Sequence, residues 1–161
     1  MKSELYKNLE KIVVNVGVGR LSGQPNFDKV LPELIQAVGL ITGQKPATAT
    51  AKKSIAGFKL RMGTVVGLKV TLRGHRMRDF LEKLVHVVFP RVKDFRGIDW
   101  KSVDGAGNLS TGFKEYVVFP EVLADVAKVN FSLEITLVPR LKNREKAVEL
   151  YKSLGIPFKK I

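Results

Sequence analysis

Thr64 to Arg73 is the most cleanly alternating segment of the chain. Val66, Leu68, Val70 and Leu72 fall on one parity, and Val65, Gly67, Lys69, Thr71 and Arg73 on the other. Successive side chains of a strand point to opposite faces, so this pattern sets one apolar face toward a core and one face outward. The outward set is small at first and basic toward its end, a surface that can approach a phosphate backbone closely.

Other segments extend the same logic. Lys11 to Gly19 is rich in β-branched residues and ends in glycines, which predicts a strand. Asn15 stands alone there among valines and needs a hydrogen-bonding partner, either within the protein or in a ligand. Asn130 to Val138 alternates Phe131, Leu133, Ile135 and Leu137 against Ser132, Glu134 and Thr136, and Phe113 to Phe119 predicts a further strand. Pro46 to Ala51 reads as a short extended segment, Lys52 to Gly57 as an exposed loop, and Phe58 to Arg61 as the start of another strand.

Three stretches predict helices. Val30, Leu34 and Val38 recur every four residues, with Pro32 expected in the first turn and Gly43 as the stop. Arg76 to Phe89 places Phe80, Leu81, Leu84, Val85 and Val88 on a buried side, with Pro90 ending the helix. Near the end, Asn143 can cap a helix whose stripe is Ala147, Leu150, Tyr151 and Leu154, and Gly155 and Pro157 stop it. Asp104 to Gly112 is a loop by turn chemistry. Strands and helices mix with no βα repeat. The expectation is an α+β fold in one domain over residues 1–161: an antiparallel or mixed sheet with helices on one face and the other face open.

Charge narrows the function. Between Glu33 and Asp79 there is no acid in 45 residues, yet nine cations stand there: Lys45, Lys52, Lys53, Lys59, Arg61, Lys69, Arg73, Arg76 and Arg78. The formal net charge of the chain is +13. Such a field opposes compaction through self-repulsion, and the polyanion that best neutralises it is RNA or DNA. Anionic lipid is the other candidate, but a basic membrane surface normally uses an amphipathic helix, and this segment reads as strands and loops. The expectation is therefore nucleic acid and no membrane. With 45% hydrophobic residues the chain can build a core, and with no cysteine it forms no disulfide or thiolate metal site. No window approaches the roughly 20 apolar residues of a membrane span. The N-terminal Met1 to Lys7 is too polar for a signal peptide, so cytoplasm is the expected compartment.

Catalytic constellations are not found. Gly17, Gly19 and Gly23 miss the dinucleotide fingerprint, because Ser22 holds the third glycine position, and Gly39 to Lys45 misses the phosphate-loop spacing. His75 and His86 have no acidic or cysteine partner at ligand spacing; His86 is expected to pack within its helix and His75 to meet RNA or solvent. No carboxylate pair or activated serine stands out. These features predict a binding module that is no enzyme and carries no metal or cofactor. The nine phenylalanines sit mostly at core spacing, so recognition of RNA shape and backbone is expected over stacking of splayed bases. The Lys52-Lys53 loop could be a plain solvated turn. Ser54, Gly57, Lys59 and Arg61 extend it into something small and basic enough to reach phosphates.

In order along the chain, these motifs resemble one family. They are Leu9-Glu10-Lys11-Ile12-Val13-Val14-Asn15-Val16-Gly17-Val18-Gly19, Ile41-Thr42-Gly43-Gln44-Lys45-Pro46, Ala51 to Arg61, Val70-Thr71-Leu72-Arg73-Gly74, Pro90 to Gly97, Asp104-Gly105-Ala106-Gly107-Asn108, and Lys114-Glu115 with Phe119-Pro120-Glu121. The resemblance is to the large-subunit ribosomal protein L-five family, which binds 5S ribosomal RNA. It implies an antiparallel sheet with helices packed against it, and a place in the central protuberance holding 5S RNA and a helix of the large ribosomal RNA. It further implies a bridge to a small-subunit head protein, protein thirteen, beside neighbouring ribosomal proteins. By motif it assigns Asn15, Thr42, Gln44, Lys45, Lys69, Thr71 and Arg73 to ribosomal RNA, and Lys52, Lys53, Ser54, Lys59 and Arg61 to a loop that meets the elbow of the peptidyl-site transfer RNA. The Asp104 to Gly112 loop is a further candidate for RNA or inter-subunit contact. The alternatives are an RNA chaperone outside the ribosome and an RNA-processing factor.

Overall fold

The computed structural model describes residues 2–122 and 126–159. Helix α1 (Lys2–Lys7) precedes strand β1 (Leu9–Gly17); helix α2 (Phe27–Thr42) and strand β2 (Ala47–Thr50) follow. Strand β3 (Val65–Leu72) leads into helix α3 (Gly74–Lys83), a π-helical turn over Leu84–Val88 and a last turn α4 (Phe89–Arg91). Strands β4 (Leu109–Phe113) and β5 (Leu133–Pro139) and helix α5 (Arg144–Ser153) complete the order. The strands form one antiparallel sheet in the order β2-β3-β1-β5-β4, and the class is α+β, as the alternation predicted.

Chain contacts gather into two compact units. The first takes residues 1–13, 71–112 and 134–161, the second residues 14–70 and 113–133. In the second, Val14 and Val16 of β1 and Leu68 and Val70 of β3 are buried, as are Val30, Leu34, Ala37, Val38 and Ile41 along one side of α2. Each fully buried aliphatic side chain of this kind contributes about 1.5–3 kcal/mol. Gly43 ends α2 in the left-handed conformation at φ 68°, its N–H donating to Gly39 O at 2.8 Å. Pro32 does not lie in the first turn. The helix begins at Phe27, so Pro32 is its sixth residue and the Asp28 carbonyl loses its helical donor.

In the first unit, Met77, Phe80 and Leu81 of α3 and Leu84 and Val88 beyond it are buried, with Ala147, Leu150 and Tyr151 of α5. Asn143 caps α5 through its side chain, which accepts from Lys146 N at 3.1 Å. The π turn precedes Pro90, whose ring would crowd the carbonyl four residues back; Phe89 N–H reaches instead to Leu84 O, one residue further than in an α-helix. Pro90 does not end the helix, which runs on to Arg91. His86, expected to pack, is exposed within the widened turn.

Two strand expectations shift. Phe58 to Arg61 starts no strand: Ala56–Phe58 is a 3-10 turn, and Leu60 makes one isolated bridge to Ile55. The strand expected over Phe113 to Phe119 lies earlier, at Leu109–Phe113, and Tyr116–Val118 forms a 3-10 turn. The Asp104 to Gly112 loop is accordingly shorter. Asp104 closes it by accepting from Asn108 N and from Asn108 Nδ2, both at 2.8 Å, and β4 starts at once.

Candidate nucleic-acid interface

The outer face of the second unit is built by strand parity. With Val14, Val16, Leu68 and Val70 inward, Asn15 on β1 and Gly67 and Lys69 on β3 point the other way, and Asn15 and Lys69 are exposed. Edge strand β2 runs antiparallel to β3, with Ala47 opposite Lys69 and Ala49 opposite Gly67. Every β2 residue is exposed, so Lys69 is flanked by small side chains. Gly67 keeps this surface low. A Cβ there would sit 3.4 Å from Val16 O and 3.8 Å from Ala49 Cβ. Asn15 has its polar group at the surface, the placement in which a ligand can supply its partner.

Thr42 is not at that surface. It is 5% exposed, and its hydroxyl donates toward Val38 O at 2.8 Å and Gln44 O at 2.9 Å while accepting from Gln44 N at 3.3 Å. Its work is internal: it folds the exit of α2 and fixes Gln44, which is half-buried, and Lys45, which is exposed. Further along β3, Thr71 is half-buried and Arg73 exposed, in the first unit.

Residues 51–64 make a separate basic projection. Its base is closed by Ala51 N–H to Thr64 O at 2.8 Å and Gly63 N–H to Ala51 O at 2.9 Å. Its tip is closed by Ile55 N–H to Leu60 O at 2.9 Å and the return bond at 3.1 Å. Lys59 occupies the left-handed region at φ 50°, which turns the tip. Ser54 braces the middle, Oγ accepting from Met62 N at 2.9 Å. Lys52, Lys53, Lys59 and Arg61 are all exposed. Among the described residues no salt bridge reaches Lys45, Lys52, Lys53, Lys59, Arg61, Lys69 or Arg73, while Arg78 lies 3.9 Å from Asp79. Seven of the nine cations of the acid-free run are thus exposed with no carboxylate on them among the described residues, six in the second unit and Arg73 in the first, as phosphate binding requires.

The loop also holds what sequence reading passed over. Phe58 is 81% exposed, Met62 69% and Ile55 45%. Most phenylalanines are indeed buried, but Phe58 is not. Gly57 before it was the only local signal, a turn residue ahead of the aromatic; the left-handed turn at Lys59 that follows shows only in the structure. Trp100 is a second exposed aromatic. His75 is exposed and within 3.5 Å of Arg78, among cations as expected.

Among the described residues no cluster of His, Cys, Asp or Glu could hold a metal ion, and no helix is long and apolar enough to cross a membrane.

Sequence comparison decides between the readings that such a surface permits. Residues 8–61 match the family profile for ribosomal protein L5, and residues 65–158 match the profile of the ribosomal L5P family C-terminus. The chain belongs to the ribosomal protein L5 family. Similar relatives include large ribosomal subunit protein uL5 of Halothermothrix orenii, 48% identical over 93% of this chain and 82% of the relative. That of Streptococcus pyogenes is 51% identical over 94% of this chain and 83% of the relative. That of Heliobacterium modesticaldum is 48% identical over 96% and 87%. Members of the family are structural, RNA-binding constituents of the large ribosomal subunit, with RNA and other ribosomal proteins as partners, and the family is not one of enzymes. The exposed cations of this chain are those of a ribosomal protein.

Proposed function

We propose that this chain is a cytoplasmic structural protein of the large ribosomal subunit that binds 5S ribosomal RNA and a helix of the large ribosomal RNA in the central protuberance. Asn15, Gln44, Lys45, Lys69, Thr71 and Arg73 contact ribosomal RNA, with Thr42 acting through the loop it fixes. The projection carrying Lys52, Lys53, Ser54, Lys59 and Arg61 meets the elbow of the peptidyl-site transfer RNA. Other surfaces, the Asp104 to Asn108 turn among them, face neighbouring ribosomal proteins and a small-subunit head protein.

One observation carries this reading: seven exposed lysines and arginines on the acid-free run have no acidic partner among the described residues. Free cations on small, low surfaces suit phosphate contact, and polar Asn, Gln and Thr groups suit fixing register. The family supports the ribosomal setting.

Sedimentation through high salt tests the assembly. The protein should travel with large subunits, and its appearance only in free fractions would refute a structural role. A double variant, Lys52→Ala with Lys53→Ala, tests the division of the surface. It should bind 5S RNA almost as the parent does and weaken a transfer RNA-dependent step of the ribosome. Loss of 5S binding in that variant would show the division to be wrong.

A further inference from the structure

A groove in the first unit, outside the acid-free run, has chemistry of its own. It is open to solvent, has a volume of about 840 Å³ and is lined by Trp100, Arg144, Val148, Lys152, Phe158 and Lys159. That size falls within the roughly 300–1,000 Å³ of ligand sites. Two elements build it. Helix α5 carries Arg144, Val148 and Lys152 along one side, at i, i+4 and i+8, which share a helix face. Opposite them the chain end is pinned: Ile98 N–H donates to Pro157 O at 2.8 Å and Lys159 N–H to Ile98 O at 2.9 Å. Gly97 permits this approach, since a Cβ there would lie 2.6 Å from Lys159 N. Phe158 and Lys159 are thus held on a fixed backbone.

Trp100 is the groove's aromatic. The Arg144 guanidinium lies 4.7 Å from its ring centroid and the Lys101 ammonium 6.0 Å. Arg144 Nη2 also donates to Trp100 O at 3.3 Å, which fixes the guanidinium beside the indole. Even so, Trp100 remains 45% exposed. A large aromatic left open to water on a surface turn and rimmed by cations has the makings of a stacking platform. Glu145 and Glu149 line the α5 wall as well. They repel a phosphate there, which leaves Lys152 and Lys159 as its seat.

We propose that this groove takes one unpaired nucleotide of single-stranded RNA, its base stacked on Trp100 and Arg144 and its phosphate held by Lys152 and Lys159. Flat π and guanidinium surfaces match a nucleobase face, the half-buried Val148 and Phe158 add apolar contact, and the lysines match the backbone charge. The inference rests on the reading that the chain binds RNA, and it adds a base-stacking contact to what is otherwise phosphate recognition.

Trp100 is the only tryptophan, so intrinsic emission reports on this groove alone. The full chain is titrated with a short oligouridylate, with anisotropy of a labelled copy as a second readout. Binding should quench Trp100 emission to saturation. Trp100→Leu and the pair Lys152→Gln with Lys159→Gln, each checked for folding by circular dichroism, should each weaken binding between about 5-fold and 100-fold by anisotropy. Anisotropy binding with unchanged tryptophan emission and parent-like affinity in both variants overturns the groove and leaves RNA binding standing. Absence of binding to any RNA by either readout removes both. Stronger quenching by polyglutamate than by the oligouridylate would make the groove a seat for an acidic protein segment, and the proposal fails.

Discussion

Lys69→Gln isolates the mechanism of RNA binding. The residue is exposed, faces outward from β3 opposite Ala47, and meets no carboxylate among the described residues. Removing its charge should leave the fold untouched. Each phosphate neutralised by a cation releases condensed counterions, which adds about 0.7–0.9 to the magnitude of the slope of log affinity against log salt. Three cations with no acidic partner among the described residues are proposed to meet ribosomal RNA: Lys45, Lys69 and Arg73. If all three engage 5S RNA, they set a slope of at least about −2.1 to −2.7, or a loss of roughly 20- to 40-fold in affinity between 50 and 200 mM salt. In a potassium chloride series followed by filter binding, the Lys69→Gln slope should be shallower than that of the parent by about 0.7–0.9. A flat response of the parent, or superimposable slopes for parent and variant, refutes phosphate neutralisation by this face.

Three further expectations concern the scaffold. Tyr151 is fully buried, and its hydroxyl donates toward Gly107 O at 2.7 Å and Leu137 O at 3.1 Å; Tyr151→Phe leaves those carbonyls short of a donor and should cost about 1–2 kcal/mol in urea unfolding, whereas parent-like stability would show the hydroxyl to be idle. Gly97 has φ 97° and a backbone neighbour 2.6 Å from any Cβ; Gly97→Ala should lower stability by at least ~1–3 kcal/mol, and an unchanged melting temperature would mean that the chain end is not pinned there. The Asn108 side-chain amide, then the backbone N–H groups of Asn108, Ala106 and Gly107, hold the Asp104 carboxyl below its ordinary value. A depressed folded value stabilises above the carboxylate range and is lost as pH falls through it, so the stability gap between parent and Asp104→Asn should close toward acid pH; a constant gap would contradict this.

Local patterns carried most of the fold. β3, β5 and α5 were legible because each advertises a complete period and, for α5, both ends: Asn143 at one, Gly155 at the other. Where two patterns overlapped, boundaries slid. The glycine-rich run after Asp104 reads as loop to Gly112, yet Asp104 and Asn108 close a tight turn and free Leu109–Phe113 to be a strand. Phe58 to Arg61 has a strand's composition, but the loop has no partner strand to offer it beyond one bridge. Helix α1 left no signal, because six residues are too few to show periodicity.

What the sequence determined by itself was the charge of the run: with no acid among its 45 residues, its cations cannot be neutralised from within it. Only the fold decides whether acids from outside reach them; seven meet none among the described residues, while Arg78 lies beside Asp79. The motifs likewise sufficed for the family. Burial belongs to tertiary structure. Only the packing of α2 turned Thr42 inward and left Lys45 outside, and only the return of the chain end to Ile98 put Phe158 and Lys159 at the Trp100 groove. A residue's type sets what it can bond to, but whether water, protein or ligand is within reach depends on distant parts of the chain brought to the same place.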